Sequence, residues 1–350
     1  MPINSPLPTD TRSKLADWIE IAALGLPRRT ATRADLLGLF DLLDDADEHT
    51  LETDEVTGEK LETEILEDDR ALFVDNVLDE LEFRLGALAD HYPFEIQVRG
   101  QQWSITLKSA VVSNEDAAAR DCYIFCLLTS AIRDQFLSGT NLDPLKQAIA
   151  FQFQAISTEA AADVVGGEAI SFGWPRPCGT AFQPMLFEVS KKLRLGKPLD
   201  AVPLWSKNRE KDAGVDVIAW REFVDSRPGK LVLLGQVASG NNWTEKTVTS
   251  DIPGFMSWFS EIPTHHYIPA IFIPFPQHHD CQGRDNASFD DVAHAEAWQR
   301  EREFGLVVDR LRIVGAAARN LLKTDAHRRT VLEGLNAWIT QALHIARMAV

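Results

Sequence analysis

The chain has 350 residues, 45% of them hydrophobic and 25% charged, a composition typical of a globular protein large enough for two domains. It contains no run of roughly eighteen apolar residues, and its first residues lack the basic and apolar regions of a secretion signal, so neither a membrane span nor export is expected. Four cysteines without a CxxC pair favour a reducing compartment. We therefore expect a cytoplasmic protein that does not contact a membrane.

The net charge of −17 is concentrated in one stretch of the chain. Between Asp41 and Glu80 there are 17 acidic and two basic residues, which leaves the remainder of the chain close to neutral. Phosphate groups repel carboxylates, so this acidic stretch is expected to avoid DNA. The charge of the rest of the chain does not oppose DNA binding.

The N-terminal half is predicted to be mainly helical because apolar residues recur at helical spacing. Thr32, followed by Asp35, has the pattern of a helix N-cap. Cys122 and Cys126 share one helical face and are interpreted as buried structural thiols. The predicted elements are helical segments over residues 12–45, 61–90, 116–136 and 142–158, an acidic loop over 44–60, and a hairpin of two strands over 94–99 and 103–108.

The second half is predicted to alternate strands and helices after a connecting segment rich in Gly and Pro over residues 164–180, which we take as a domain boundary. The predicted elements are an amphipathic helix over 182–196 with Gly196 as its C-cap, strands near 217–220 and 231–236, a run over 268–276 whose prolines limit it to an edge or to residues 270–273, helices over 289–303 and 328–348, and a strand leading into a helix over 305–314.

These elements predict an α/β (α+β) fold in two domains. Residues 1–164 form a mainly helical N-terminal domain that carries the acidic segment. Residues 165–350 form a mixed-sheet core flanked by helices.

Two neighbouring strands carry the residues that indicate chemistry. Asp216 opens the first strand and Gln236 ends the second, so an antiparallel pairing places them side by side. The carbonyl oxygen of Val237 lies one residue further on, and Glu188 stands on the preceding helix. Oxygen ligands of this kind suit Mg²⁺ or Mn²⁺, and such ions assist the hydrolysis of phosphodiesters.

This order of residues resembles the PD-(D/E)xK restriction-endonuclease superfamily, and is most similar to its methylation-dependent branch of the Mrr type. The resemblance covers roughly residues 180 to 250. It implies a restriction-endonuclease-like core in which Glu188 is the helical acid, Asp216 the metal-binding acid and Gln236 the residue that replaces glutamate in the third motif. Catalytic roles are implied for these three residues, and metal binding for Asp216, Val237 and Glu188.

The chain departs from the family pattern at Ala238, where the resemblance calls for the catalytic lysine. The superfamily relocates this lysine in some members, and Lys246 and Lys211 are the candidates here. A basic cluster ahead of the site is a candidate surface for DNA phosphates. Its residues are Lys191, Lys192, Arg194, Lys207 and Arg209.

The resemblance implies a Mg²⁺-dependent DNA endonuclease of restriction or anti-phage defence type, with DNA, other defence subunits and further copies of the chain as partners. The alternative is a subunit that keeps the nuclease fold for binding or scaffolding without catalysis, which Ala238 favours. A hydrolase of another phosphate substrate is a weaker alternative. Zinc at the pairs His265–His266 and His278–His279 is disfavoured, because adjacent residues of an extended chain point to opposite sides.

Overall fold

The computed structural model describes residues 4–6, 10–38 and 63–347, apart from positions 175, 177–178, 205, 207–210, 226, 228, 247, 283–286 and 324. The predicted α+β class is confirmed, since a mixed sheet is flanked by helices. The helices of the described chain are α1 (Arg12–Gly25), α2 (described over residues 33–38), α3 (Thr63–Leu88), α4 (Asn114–Arg133), α5 (Asp143–Val165), α6 (Phe182–Leu193), α7 (Val248–Met256), α8 (Phe289–Phe304), α9 (Arg310–Leu321) and α10 (Ala326–Arg347).

The strands of the described chain form three sheets. They are β1 (Thr30–Thr32), β2 (Phe94–Arg99), β3 (Gln102–Leu107), β4 (Glu168–Ser171), β5 (Lys197–Pro198), β6 (Val217–Arg221), β7 (Leu231–Val237), β8 (Phe259–Glu261), β9 (Ile268–Phe272) and β10 (Leu306–Val308). The N-terminal sheet has the order β1-β3-β2 and is antiparallel, the main sheet has the order β10-β9-β7-β6-β4, and β5 pairs with β8.

The main sheet positions the site, because its strands change direction between β7 and β6. β10, β9 and β7 are parallel, whereas β6 is antiparallel to both β7 and β4. Along β6, Val217 and Ala219 face one apolar core, and Ile218 and Trp220 face another. The sheet is therefore buried on both faces, which explains why its strands are almost continuously apolar.

The N-terminal predictions are largely confirmed. Asp35 N–H donates to the Thr32 hydroxyl at 3.3 Å and Thr32 N–H donates to Asp35 Oδ2 at 2.8 Å, so Thr32 caps α2 reciprocally. The helix expected over residues 12–45 is interrupted by β1, however, which pairs with β3. The expected loop at 44–60 lies outside the described residues. Cys122 and Cys126 are fully buried and free, as expected of structural thiols.

Three details of the second half differ from expectation. The connecting segment contains β4, which pairs with β6 and completes the sheet. β9 lies between β10 and β7 and is not an edge strand; Pro269 is tolerated at its second residue. The helix α6 ends at Leu193 with Arg194 in the left-handed conformation at φ 54°, so Arg194 and not Gly196 is its cap.

One hydrophobic core runs across the expected domain boundary at residue 164. The cluster that contains α1, α3 and α4 also contains Val217, Leu233 and Phe272 of the main sheet. The N-terminal helices are therefore packed directly on the sheet part of the chain.

A buried ionic network reinforces this contact. Asp17 of α1 accepts hydrogen bonds at 2.7 Å from Arg84 of α3 and, through both carboxylate oxygens, from Arg310 of α9. All three side chains are fully buried. Burial alone would raise the pKa of Asp17, but the two guanidinium groups hold it well below its usual value.

Candidate active site

The site forms where β6 begins and β7 ends. Val217 lies opposite Gly235 in the register of the two strands, so Asp216 and Gln236 are neighbours, as the sequence predicts. Asp216 N–H donates to the Gly235 carbonyl at 2.8 Å, and Val237 N–H donates to Asp216 Oδ2 at 2.9 Å. These bonds hold the carboxylate at the end of β7.

A cavity of about 350 Å³ opens at this point. Polar and aromatic side chains from five segments of the chain line it, and they include Gln154, Trp174, Asp212, Asp216, Gln236 and Lys246. Trp174 is half-exposed, so an aromatic face is available at the cavity to a substrate.

Asp216 is mostly buried, and its charge state reflects this. The pKa of its carboxyl is raised to about 6, chiefly by burial and also by the nearby Asp212, although the Val237 N–H, Lys246 and Arg176 act to lower it. Because burial makes the ionised form of Asp216 unfavourable, binding of a proton or another cation to its carboxylate is favoured.

Gln236 presents an unsatisfied acceptor in the same cavity. Its Nε2 donates to Asp251 Oδ2 at 2.6 Å. Because an ionised carboxylate only accepts hydrogen bonds, this contact fixes the orientation of the amide. Its oxygen Oε1 is buried and has no hydrogen-bond partner among the described residues. A buried acceptor without a donor is unfavourable unless a cation or donor approaches it.

Lys246 brings an ammonium group into the cavity. Its Nζ donates to the Val237 carbonyl at 3.0 Å. The lysine follows a short 3-10 turn, Trp243–Glu245, and Trp243 is buried against Phe275 and Phe304, with ring centroids 5.8 and 5.6 Å away. The buried indole anchors the turn and so places the lysine.

The other candidate lysine lies elsewhere. Lys211 is exposed and does not line the cavity; its backbone carbonyl accepts a hydrogen bond from Arg176. Of the two lysines, Lys246 is therefore the one that the fold brings to Asp216.

The side chain of Ala238 is part of the apolar core. It is 1% exposed, belongs to the same apolar core as Trp243, and its N–H donates to the Phe272 carbonyl at 2.9 Å. It does not line the cavity.

The helix that packs on the site strands is α5, whereas the resemblance assigned this place to α6. Contacts of α5 reach β4, β6 and β7. Glu188 is exposed on α6, because the buried face of that helix carries Met185, Leu186 and Val189. The expected placement of Glu188 beside the metal is therefore corrected.

Gln154 of α5 occupies the side of the cavity expected for a helical acid. Its Nε2 donates to Ser171 Oγ at 2.6 Å and to the Gly173 carbonyl at 3.1 Å. These bonds connect α5 to the end of β4. Gln154, Trp174 and Asp251 are site residues that the sequence did not single out.

The groups that converge fit a hard cation. The carboxylate of Asp216, the amide oxygen of Gln236, which has no partner in the described part of the chain, and the carbonyl of Val237 are all oxygen donors, which Mg²⁺ and Mn²⁺ prefer. Of the three residues predicted to bind metal, Asp216 and Val237 come together and Glu188 does not.

The predicted DNA-binding cluster is described in part. Lys191, Lys192 and Arg194 are exposed at the end of α6 and do not line the cavity. Lys207 and Arg209 lie outside the described residues.

A second group of possible metal ligands is explained by ion pairing. Potential ligand atoms of Asp134, His279 and Asp280 lie within 4.8 Å of one another. His279 Nε2 lies 2.7 Å from Asp134 Oδ2, and Arg133 Nη2 donates to Asp280 Oδ2 at 2.6 Å. This cluster is accounted for as a hydrogen-bonded ionic network.

Comparisons with protein-family models, with curated proteins and with solved structures find no match to this chain. Across the described residues, no helix combines the length and apolar character that crossing a bilayer requires.

Proposed function

We propose that this protein is a metal-dependent endonuclease that hydrolyses phosphodiester bonds of DNA at the Asp216 cavity, in restriction or anti-phage defence. One observation carries the proposal: the Lys246 ammonium binds the Val237 carbonyl in the same cavity where Asp216 and the unpartnered oxygen of Gln236 lie. Carboxylate, oxygen donors and a cation in one cavity are the parts that phosphodiester hydrolysis requires.

Asp216, Gln236 and the Val237 carbonyl would hold Mg²⁺ or Mn²⁺. When bound, such an ion polarises the phosphodiester and lowers the pKa of water. Hydrolysis forms one bond from a water oxygen to phosphorus and breaks the bond to one sugar oxygen, which leaves with a proton.

Lys246 stabilises the negative charge that develops on the phosphate oxygens, because its ammonium group is held at the cavity by a 3.0 Å hydrogen bond. Asp251 keeps the nitrogen of the Gln236 amide turned toward itself. Trp174 offers its half-exposed ring to a nucleobase near the cleaved bond. Cys122 and Cys126 are buried without a disulfide, which fits a reducing cytoplasm as the place of action.

The test is cleavage of supercoiled plasmid DNA by the purified protein with Mg²⁺ or Mn²⁺, beside a reaction in EDTA. Asp216→Asn and Lys246→Met are expected to lower the cleavage rate at least about 100-fold, the effect of removing one electrostatic group from an active site. Lys211→Met is the matched control, since this lysine is exposed outside the cavity. Its rate should equal that of the wild type.

Cleavage that survives both Asp216→Asn and Lys246→Met would reject the proposed site. Metal-independent binding of the plasmid without any cleavage would instead support the alternative of a binding subunit with a nuclease fold.

A further inference from the structure

A second and larger cavity, of about 620 Å³, lies between the N-terminal helices and the sheet part of the chain. Its walls come from the start of α1, from α3, from the turn after β9, and from α8 and the start of α9. None of its lining residues lines the Asp216 cavity. Junctions of this kind and cavities of this size are typical places for small-molecule binding.

One wall of this cavity is aromatic. The Phe83 ring meets the His278 ring edge-on at 5.5 Å, and His278 meets the Phe289 ring edge-on at 5.9 Å. Phe83 is 53% exposed, so part of its ring is accessible to a ligand in the cavity. A planar ring can pack on this wall at little cost.

The cavity also carries cationic and hydrogen-bond-donating groups, from Arg12, His294 and Arg312. The Arg12 guanidinium lies 3.4 Å over the Phe289 ring, and its Nε is buried without a hydrogen-bond partner among the described residues. The carboxylate of Glu80 is 3.8 Å from that nitrogen, beyond hydrogen-bond distance. A buried guanidinium N–H without an acceptor favours an incoming anion.

Two carboxylates line the cavity as well, and both are already engaged. Asp309 accepts from the backbone N–H groups of Arg312 and Gln277, at 3.1 and 2.9 Å, as the cap of α9. Asp290 accepts from Arg12 Nη2 at 2.8 Å and is largely exposed. Arg312 Nη1 also donates to the Val307 carbonyl at 2.6 Å. Among the described residues, the groups that can still meet a ligand are therefore mainly the N–H donors of Arg12, His294 and the rest of the Arg312 guanidinium, beside an aromatic wall.

We infer that this cavity binds a mononucleotide. The base packs on the wall formed by Phe83 and His278, and the phosphate is bound by Arg12 with His294 and Arg312. A cavity of about 620 Å³ lies within the range of natural ligand sites. The ligand touches α1 and α3 on one side and α8 and α9 on the other, so it ties the two parts of the chain together. This inference is independent of the proposed nuclease activity.

The test is isothermal titration of the full chain in EDTA with AMP, with adenosine and with ribose 5-phosphate. AMP is expected to bind with one molecule per chain. Adenosine lacks the phosphate and ribose 5-phosphate lacks the ring, so each is expected to bind at least about tenfold more weakly. GMP, CMP and UMP are titrated in parallel, and absence of binding by all four mononucleotides overturns the inference.

Three substitutions locate the site. Arg12→Gln, Arg312→Gln and Phe83→Ala are each expected to weaken AMP binding at least about tenfold, and Arg329→Gln, an exposed arginine on α10, leaves it unchanged. Phe83 is half-exposed, so its replacement leaves the apolar core intact. Phe83→Ala therefore still tests the site if Arg12→Gln disturbs folding.

Equal AMP binding by wild type, Arg312→Gln and Phe83→Ala overturns the inference. So does loss of AMP binding in Asp216→Asn alone, since that result would place the nucleotide in the other cavity. Failure of plasmid cleavage leaves these titrations unaffected, which separates the two proposals.

Discussion

Asp251 decides which end of the Gln236 amide faces the proposed metal. The contact of 2.6 Å between Gln236 Nε2 and Asp251 Oδ2 leaves the amide oxygen as an acceptor that no described residue donates to. Residues that orient ligands in this way typically change metal affinity 10- to 100-fold when they are replaced.

We expect Asp251→Ala to lower the affinity for Mn²⁺ about tenfold, because the released amide can rotate its nitrogen toward the cavity. Titration of Mn²⁺ followed by electron paramagnetic resonance measures this directly. Asp200→Ala, at an exposed position of the same charge, serves as the control. An unchanged Mn²⁺ affinity in a folded Asp251→Ala variant would show that Asp251 has no role in orientation.

The buried carboxyl of Asp216 is predicted to weaken the fold at neutral pH. Its pKa is about 6 in the folded chain against an ordinary value of 3.8. Between these values the folded protein holds the proton more tightly than the unfolded chain does, so stability falls as the pH rises from about 4 to about 6 and stays lower above.

Asp216→Asn removes this titration. In EDTA at pH 8 its free energy of unfolding is expected to exceed that of the wild type by up to about 3 kcal/mol, and the difference should shrink toward pH 4. Urea denaturation at several pH values measures both. A variant less stable than the wild type at pH 8 would contradict this expectation.

At the scale of elements, the short strand β4 and the helix α5 complete the site. β4 ends where Gly173 approaches Asp216 so closely that an added Cβ would lie 2.1 Å from Asp216 Oδ1 and 2.7 Å from Gln154 Oε1. Gly173 N–H also donates to the Asp216 carbonyl at 2.8 Å. A side chain here therefore conflicts with the site itself.

Gly173→Ala is expected to displace the Asp216 carboxylate, to weaken Mn²⁺ binding at least about tenfold, and to destabilise the fold by about 1–3 kcal/mol. Titration of Mn²⁺ and urea denaturation test the two effects. Gly254→Ala is the control: an added Cβ meets no atom within 4 Å inside α7, so stability should stay equal or rise slightly. If Gly173→Ala binds Mn²⁺ as tightly as the wild type, the close approach of residue 173 to Asp216 is not required for the site.

The sequence predicts the position of a site residue correctly where residues close to it in the chain determine that position. Asp216 and Gln236 could be placed together because a hairpin brings them together, and Lys246 was a candidate because it follows the same strand closely. Glu188 was misplaced because spacing alone does not show which of two helices covers a sheet. Gln154 and Asp251 were missed because their partners are contributed by other elements through tertiary packing.

The sequence does not predict the short strand β4 for a related reason. Its four residues stand among glycines and prolines, and pairing with β6 supplies the stability that local preference does not.

At the scale of the whole molecule, the two parts of the chain share their core. α1, α3 and α4 pack in one apolar cluster with residues of the main sheet, and Asp17 connects α1 to Arg84 and Arg310 through fully buried hydrogen bonds. Removal of one partner from such a network leaves buried charges without compensation.

A fragment of residues 165–350 is therefore expected not to fold by itself, because one face of its sheet would lose its cover. Circular dichroism and urea denaturation of the fragment test this, with the full chain as reference. A cooperative unfolding transition of the isolated fragment would show instead that the boundary at residue 164 separates two independent domains.

In the full chain, Asp17→Ala is expected to lower the free energy of unfolding by about 3–5 kcal/mol, because Arg84 and Arg310 lose their shared carboxylate. Asp225→Ala, which removes an exposed ion pair with Arg227 and a long hydrogen bond of 3.3 Å from the Arg227 backbone N–H, should change it by less than about 1 kcal/mol. Urea denaturation measures both variants, and an equal effect of the two would reject the structural role of the network.

The burial of Ala238 has a consequence for how an arrangement of this kind can be found in other sequences. Its methyl group lies in the apolar core, 1% exposed, so a lysine there would be buried among hydrophobic groups. A lysine at this position would be costly, and the amine at the cavity comes instead from Lys246, on the turn after β7. A sequence pattern that requires lysine two residues after glutamine does not detect this arrangement, whereas a structural search for an ammonium group within hydrogen-bond distance of the strand's terminal carbonyl does.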